Sequence, residues 1–219
     1  PDLKPQRGDT FELGIRRRVG RLRLHAVAYY TALHDLIDEA ATTYNGDATV
    51  DGAPVVQRVN SRLGEFYGSD LGLSLGRGAL QTGHSLGVIH GSIERDDGWV
   101  AARRVPPLRG AHTVLYRASR VLTHSLSLRW AAAQTELHPS DRNDLRICAN
   151  PAQPWSSLGD DCDGTPGWAV IGLRSRWTPA RNRHLSAALE NLTDANYKTH
   201  GSGPLAPGVT LRLAWEERF

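Results

Sequence analysis

Methionine is absent from all 219 residues, and cysteine occurs only twice. No run comes near the ~20 apolar residues that a membrane helix needs. That excludes a helical membrane protein. It leaves a barrel open, because barrel strands dilute their apolar residues with polar ones facing the lumen. Aromatic residues make up 7% of the chain, hydrophobic residues 40%, and mean hydropathy is −0.40, a composition that looks soluble. No secretory signal opens the chain, and PDLKPQRGDTFELG without a methionine is not a translation start. A fragment or processed product is expected. The net charge is only +3, with 26 Lys+Arg not clustered enough to argue for a nucleic-acid partner.

Both cysteines, Cys148 and Cys162, fall in one segment rich in Gly, Pro and Asp. A disulfide closing a loop of this size stabilises by roughly 3 kcal/mol in the chain-entropy model. It also implies an oxidising compartment. The alternatives are two free thiols or half of a metal site. Two cysteines with no adjacent histidine argue against zinc. The disulfide is the expectation, with no metal and no cofactor.

What the chain does have is alternation. In Val209–Phe219 the residues Val209, Leu211, Leu213 and Trp215 share one face, and Thr210, Arg212, Glu216 and Arg218 are polar. Period two over such a length is a strand with one apolar and one wet face. Similar strands are expected at 10–19, 21–33, 55–75 (bulged near Gly64 or Gly68), 80–93, 108–118, 124–137, 168–177 and 185–192. That makes nine strands. Their connections alternate in length. Those at Gly20, 77–79, 119–120 and 179–182 are short, and those at 38–54, 94–106, 138–166 and 193–207 are long. Short turns on one side and long loops on the other is the pattern of an outer-membrane barrel, which a sandwich has no reason to copy. Tyr30, Tyr67, Tyr116, Trp130, Trp177, Trp215 and Phe219 sit near strand ends, as aromatic girdles do. Nine strands cannot close a bacterial single-chain barrel, which has an even number, and an open sheet leaves unpaired edges in lipid. The fold class is therefore all-β, a transmembrane antiparallel β-barrel present as its C-terminal part.

Several segments in order carry a family resemblance. LKPQRGDTFELGIR (3–16), AYYTALHDLI (28–37), NSRLGEFYGSDLGLSL (60–75), RVPPLRG (104–110) and LSAALENLTDANYKTHGSG (185–203) resemble successive strand-end motifs of TonB-dependent outer-membrane receptors. Asp70 stands where that family usually has Glu. The resemblance covers nearly the whole chain. It implies about nine strands of a 22-stranded barrel in the outer membrane, whose plug domain and N-terminal strands lie outside residues 1–219. It also implies TonB-energised uptake of a scarce nutrient, most naturally a ferric siderophore, with cobalamin or haem as other cargoes, and no catalysis. TonB would couple through the missing N-terminal region. The terminal Trp215 and Phe219 resemble the signal read by the barrel-assembly machinery, and outer-membrane lipid is the other partner.

Other motifs compete for attention. GHSLG (83–87) satisfies the G-x-S-x-G nucleophile elbow with Ser85, but the elbow needs a helix after it and the following residues have no helical period. A serine esterase using Ser85 and a soluble all-β binding domain remain the alternatives to transport. Arginines at 16, 18, 23, 109, 117, 129, 174, 176 and 212 fall on the polar faces. There they either attract anionic ligands or pair with plug carboxylates, with Glu12, Glu190 or Glu216, or with lipid phosphate. His138 and His200 are the candidates for a loop histidine ligating haem, and ordinary polar loop residues are the preferred alternative. Trp and Arg are favoured at binding hot spots, and loops on a rigid scaffold carry function, so Trp99, Arg103, Arg104 and Trp155 are the expected ligand contacts.

Overall fold

The structure is a computed structural model, and it describes residues 3–60, 63–96, 98–148 and 162–218. Fourteen strands follow in chain order: β1 (Arg7–Val19), β2 (Leu22–His34), β3 (Ile37–Ala41), β4 (Thr49–Val50), β5 (Ala53–Pro54), β6 (Val56–Asn60), β7 (Leu63–Arg77), β8 (Leu80–Arg95), β9 (Gly98–Ala101), β10 (Arg109–Arg117), β11 (Leu122–Ala131), β12 (Trp168–Ala180), β13 (Arg183–Glu190) and β14 (Thr210–Glu217). A 3₁₀ turn (Pro139–Asn143) and one helical turn, α1 (Leu145–Cys148), complete the order.

Nine of the strands form one antiparallel sheet, in the order β1-β2-β7-β8-β10-β11-β12-β13-β14, with β9 added to the far end of β8. These nine are the nine expected from alternation. The links β1–β2, β7–β8, β10–β11 and β12–β13 are all short, and Gly20 adopts φ +57° in the first. The remaining links gather at the opposite end. The sheet is not closed within this chain.

Register assigns every side chain to a face. Leu13 faces Ala28, Leu24 faces Leu73, Leu71 faces Leu86, Val114 faces Leu126, Leu126 faces Leu173, and Leu189 faces Leu211. Apolar side chains run across this face from one edge to the other. It is also uncovered: Leu13 is 80% exposed, Phe11 72% and Leu213 68%. A soluble sandwich would lay a second sheet here. The other two sheets are only the small ribbons β3–β6 and β4–β5. The face therefore meets hydrocarbon, as in a membrane barrel. Tyr30 and Tyr67 mark its long-loop end, and Tyr116, Trp177 and Trp215 its short-turn end.

Polar groups on this face pair with one another: His124 Nδ1 lies 2.8 Å from Ser175 Oγ, Tyr30 O–H donates to Glu65, and a longer chain links three rings. Trp130 Nε1–H donates to His112 Nε2 at 3.3 Å, which puts the His112 proton on Nδ1, 2.8 Å from His84 Nδ1. Polar groups facing hydrocarbon cost free energy unless they satisfy one another, and these three rings largely do.

Four strand glycines sit directly opposite a ring. Tyr29 faces Gly68, His25 faces Gly72, Phe66 faces Gly91, and Trp130 faces Gly110. A Cβ at Gly110 would come within 2.7 Å of the Trp130 indole, and one at Gly91 within 2.6 Å of the Phe66 ring. The missing side chain is what lets the ring lie flat across the neighbouring strand.

The structure departs from the alternation pattern in two places. No bulge falls at Gly64 or Gly68, which are regular ladder positions. β7 pairs with β2 as far as Leu63–His34, and β6 pairs with β3 from Asn60–Ile37 in the same register, with residues 61–62 outside the described residues. The facing strand breaks between β2 and β3 at Asp35, whose φ is +55°. Asn60 Nδ2 donates to the Asp35 carbonyl at 2.6 Å across that break. The strand expected over 124–137 stops at Ala131, where the ladders to β10 and β12 both end; one more backbone bond follows, from Ala132 N–H to the Leu108 carbonyl at 2.8 Å.

Candidate functional site

The long-loop end is a canopy tied together by charge. Asp38 in β3 is 7% exposed and accepts hydrogen bonds from Arg95, at the end of β8. His138 is fully buried beside it. Ser140 N–H donates to His138 Nδ1 at 3.0 Å, and His138 Nε2 lies 2.8 Å from Arg95 Nη2 and 3.6 Å from Asp38 Oδ1. Burial opposes the Asp38 charge, but hydrogen bonds from His138 and Arg95 outweigh it and hold the carboxyl well below the usual carboxylate range.

A second node is Asp141, 1% exposed. Its carboxylate accepts the Arg104 backbone N–H at 2.9 Å and Arg103 Nε at 3.3 Å. Arg103 also reaches Glu39 Oε2 at 3.3 Å. Arg104 reaches Asp144 Oδ2 at 3.1 Å, and Arg146 grips the same Asp144 at 2.7 Å. Hydrogen bonds from Arg146 are the main reason the Asp144 carboxyl is also held well below its ordinary value. Three loops, 35–62, 96–108 and 132–167, thus meet at two buried carboxylates that alternate with guanidinium groups. Buried charges of this kind are stable only when paired and hydrogen-bonded.

Below the second node, Cys148 and Cys162 are joined, with Cα atoms 5.3 Å apart, and pack with Leu137 and Ile147. Thr165 Oγ1 donates to the Ile147 carbonyl at 3.0 Å, which leaves His200 Nδ1–H to donate to that hydroxyl at 2.9 Å. His200 belongs to the fourth loop and docks it on the third. Burial pushes the His200 pKa down, against the opposing pull of Asp141 and Asp144. The neutral form is therefore the folded form. Its contribution is complete above the ordinary histidine value of about 6.5 and shrinks as pH falls below it. Asp38 and Asp144, with lowered values, keep their contribution until stronger acid. Between pH 7.5 and 5.5, amide protection factors around residues 162–168 and 198–202, which are corrected for the intrinsic pH dependence of exchange, are expected to fall by several-fold while the Asp38 node stays protected. The His200→Gln variant is expected to lose this dependence. Protection factors at 198–202 that are flat over the same range would contradict the assignment.

Under the canopy lies the upper part of the polar face. Asp70, Arg109, Arg129, His25 and Trp168 line a depression of about 540 Å³ that reaches His200. Arg109 and Arg129 stand diagonally on β10 and β11. The Asp70 carboxylate lies across Gly87, 2.8 Å from where a Cβ would be, and the Arg109 guanidinium lies across the same glycine. Two guanidinium groups against one carboxylate leave this floor positive. It can hold an anionic, multidentate ligand or a carboxylate from another segment. Among the described residues, no group of three or more His, Cys, Asp or Glu could hold a metal ion.

Trp99, on β9 opposite Glu94, is 50% exposed at a hairpin near the canopy. Arg103 and Arg104 are engaged by Glu39, Asp141 and Asp144, as given above. Trp155 and Phe219 lie outside the described residues. Trp215 is on the apolar face. Ser85 lies mid-strand in β8 between Gly72 and Ala111, with no strand-to-helix turn after it, so the elbow geometry is not formed. His138 is fully buried with Nδ1 against the Ser140 N–H and Nε2 against Arg95, which leaves no nitrogen open to a haem. Sequence reasoning missed Asp38 and Asp141. Only the dense charge alternation of DRNDLR (141–146) hinted at the second.

The model of the family described as "TonB dependent receptor-like, beta-barrel" matches residues 1–192. Among solved structures, the chain superposes on the copper transporter OprC with a TM-score of 0.76 at 21% identity, over 98% of this chain and 31% of that one. It superposes on the FrpB iron transporter of Neisseria meningitidis with a TM-score of 0.71 at 14% identity, over 100% and 31%. A ferric enterobactin receptor of Pseudomonas aeruginosa gives 0.68 at 15% identity, over 99% and 32%. The chain thus spans about a third of the length of these proteins. No curated protein matches it in sequence.

Proposed function

The chain belongs to the TonB-dependent receptor family of outer-membrane transport barrels, and from that premise we propose that it is the C-terminal part of a receptor for TonB-energised uptake of an anionic ferric siderophore. The short turns then face the periplasm and the canopy faces outside. In this proposal, the plug and the remaining strands of a 22-stranded barrel belong to the rest of the receptor, and TonB couples through that part. The barrel-assembly machinery reads the terminal strand with Trp215 and Phe219. The family transports and does not catalyse, so the alternative of an esterase at Ser85 falls away.

The observation that carries the cargo proposal is the positive floor of Arg109 and Arg129 beneath a canopy of already paired charges. The canopy arginines spend their charge on loop carboxylates, whereas the floor keeps an excess of one positive group. An anionic ferric complex suits such a floor better than a neutral cargo does. Trp99 and Trp155 supply loop contacts in this proposal, and Arg103 and Arg104 hold the loops that carry them. In the full-length receptor, Arg109→Gln with Arg129→Gln is expected to weaken binding of an anionic ferric siderophore by roughly 10- to 100-fold, the worth of one or two charge-assisted hydrogen bonds. Fluorescence titration measures it, and an unchanged Kd for every anionic ferric siderophore that binds would overturn the proposal.

A further inference from the structure

The short-turn rim is as one-sided in charge as the canopy is balanced. Each of its four hairpins carries an arginine at or beside the turn: Arg21, Arg77, Arg120 and Arg181. All four are exposed, and none has an ion-pair partner among the described residues. The rim's carboxylates on β14 are already engaged. Glu217 holds Arg183 at 2.8 Å and Glu216 holds Arg218 at 2.9 Å. Unpaired cations around one rim of a barrel repel one another, so the arrangement is favourable only with an anion present.

The position of the rim says which anion. On the apolar face the last residues before the turns are Leu80 and Tyr116, which face each other, and Trp177 and Trp215, which both face Leu185. Aromatic residues at a barrel's edge sit at headgroup level. Arg77 lies beside Leu80 across the β7–β8 pair. Arg120 lies four residues beyond Tyr116, and Arg181 four residues beyond Trp177. Arg120 and Arg181 are therefore on the aqueous side of the girdle, Arg77 is level with it, and Arg21 stands in the first turn, two residues beyond the end of β1, all at the depth of lipid phosphates.

We propose that this rim is a binding collar for anionic phospholipid headgroups of the inner leaflet of the outer membrane, held by Arg21, Arg77, Arg120 and Arg181. It rests on the barrel assignment and not on the cargo. The guanidinium groups are spread over four hairpins, so the collar binds several lipids side by side and not one lipid in a pocket. Arginine pairs with phosphate in a bidentate fork, but charge alone supplies much of the preference at a membrane surface.

The test uses the full-length receptor in nanodiscs of phosphatidylethanolamine with a minority of phosphatidylglycerol. It is then extracted in mild neutral detergent, and the retained lipids are measured by mass spectrometry. Wild type is expected to retain phosphatidylglycerol roughly fivefold above its share of the bilayer, in line with the pull of a surface arginine on anionic lipid. The quadruple variant R21Q/R77Q/R120Q/R181Q is expected to retain the two lipids in bilayer proportion, and the corresponding lysine variant to recover most of the preference. A wild type without preference, or a glutamine variant that keeps it, overturns the collar. Heat-modifiable migration on gels is recorded for every variant. A folded barrel without lipid preference defeats the collar alone, whereas a wild type that never shows the folded barrel defeats the assignment beneath it.

Discussion

Replacing Asp141 with alanine is expected to open the canopy while the barrel stays folded. Asp141 is almost wholly buried and is shared by the Arg104 backbone and the Arg103 side chain. Its loss leaves the Arg104 N–H without an acceptor and Arg103 held by Glu39 alone. Arg103 is about a third exposed, so solvent takes back part of the cost. The remainder is roughly 2–3 kcal/mol, the worth of hydrogen bonds to a charged group in a buried setting. That raises the population of open loops by on the order of 100-fold. Limited proteolysis of intact cells or purified receptor reads it directly, with new cleavage expected in residues 96–108 and 132–148. Asp141→Asn keeps one acceptor and is expected to fall between. If Asp141→Ala were cleaved no faster than wild type, the second node would not be what holds the loops. The Asp38 node and the joined cysteines remain in this variant, so the opening is expected to be local.

Leu173→Arg is expected to stop the barrel from forming efficiently. Leu173 lies between Leu126 and Leu189 on the apolar face, four residues inside the Trp177 girdle. That places it near the middle of the hydrocarbon layer. A charged residue facing lipid at the midplane costs about 2–4 kcal/mol in outer-membrane barrels. In the full-length receptor the variant is expected to show a several-fold drop in the heat-modifiable, folded fraction. Arg174→Leu, one residue on and facing the lumen, is expected to fold like wild type. Equal folded fractions for Leu173→Arg and wild type would mean that the apolar face is covered by protein and not by lipid.

The two variants probe regions that differ in how far sequence foretold them. Leu173 shares its face with Ile171 and Trp177 through local alternation, so the lipid-facing rows, the nine strands and the side of each loop follow from neighbours two residues apart. Asp35 is harder. A single residue in the left-handed region separates β2 from β3, and no local pattern distinguishes it from the aspartates that merely sit in turns. The canopy is harder still. Asp38 meets Arg95 and His138, and Arg104 meets Asp141. These partners lie tens of residues apart, and only the folded loops bring them together. Arg103 and Arg104 are candidate ligand contacts by residue type, and the carboxylates they also pair with are tertiary and leave no local trace. The floor of Arg109 and Arg129 was legible as charge on the polar face, but its place under the canopy was not.

The rings laid over Gly68, Gly72, Gly91 and Gly110 carry a consequence for how relatives of this chain diverge. A ring and an opposing Cβ cannot share the space, so the two positions of each pair change together or not at all. In an alignment of relatives, a residue larger than glycine at position 110 should be accompanied by a small or flexible one at position 130. The same linkage should hold for 68 with 29 and for 91 with 66. Strand positions of equal exposure without a facing ring, such as Gly83, should drift freely. Substitution histories would then recover the register of the sheet from inheritance alone.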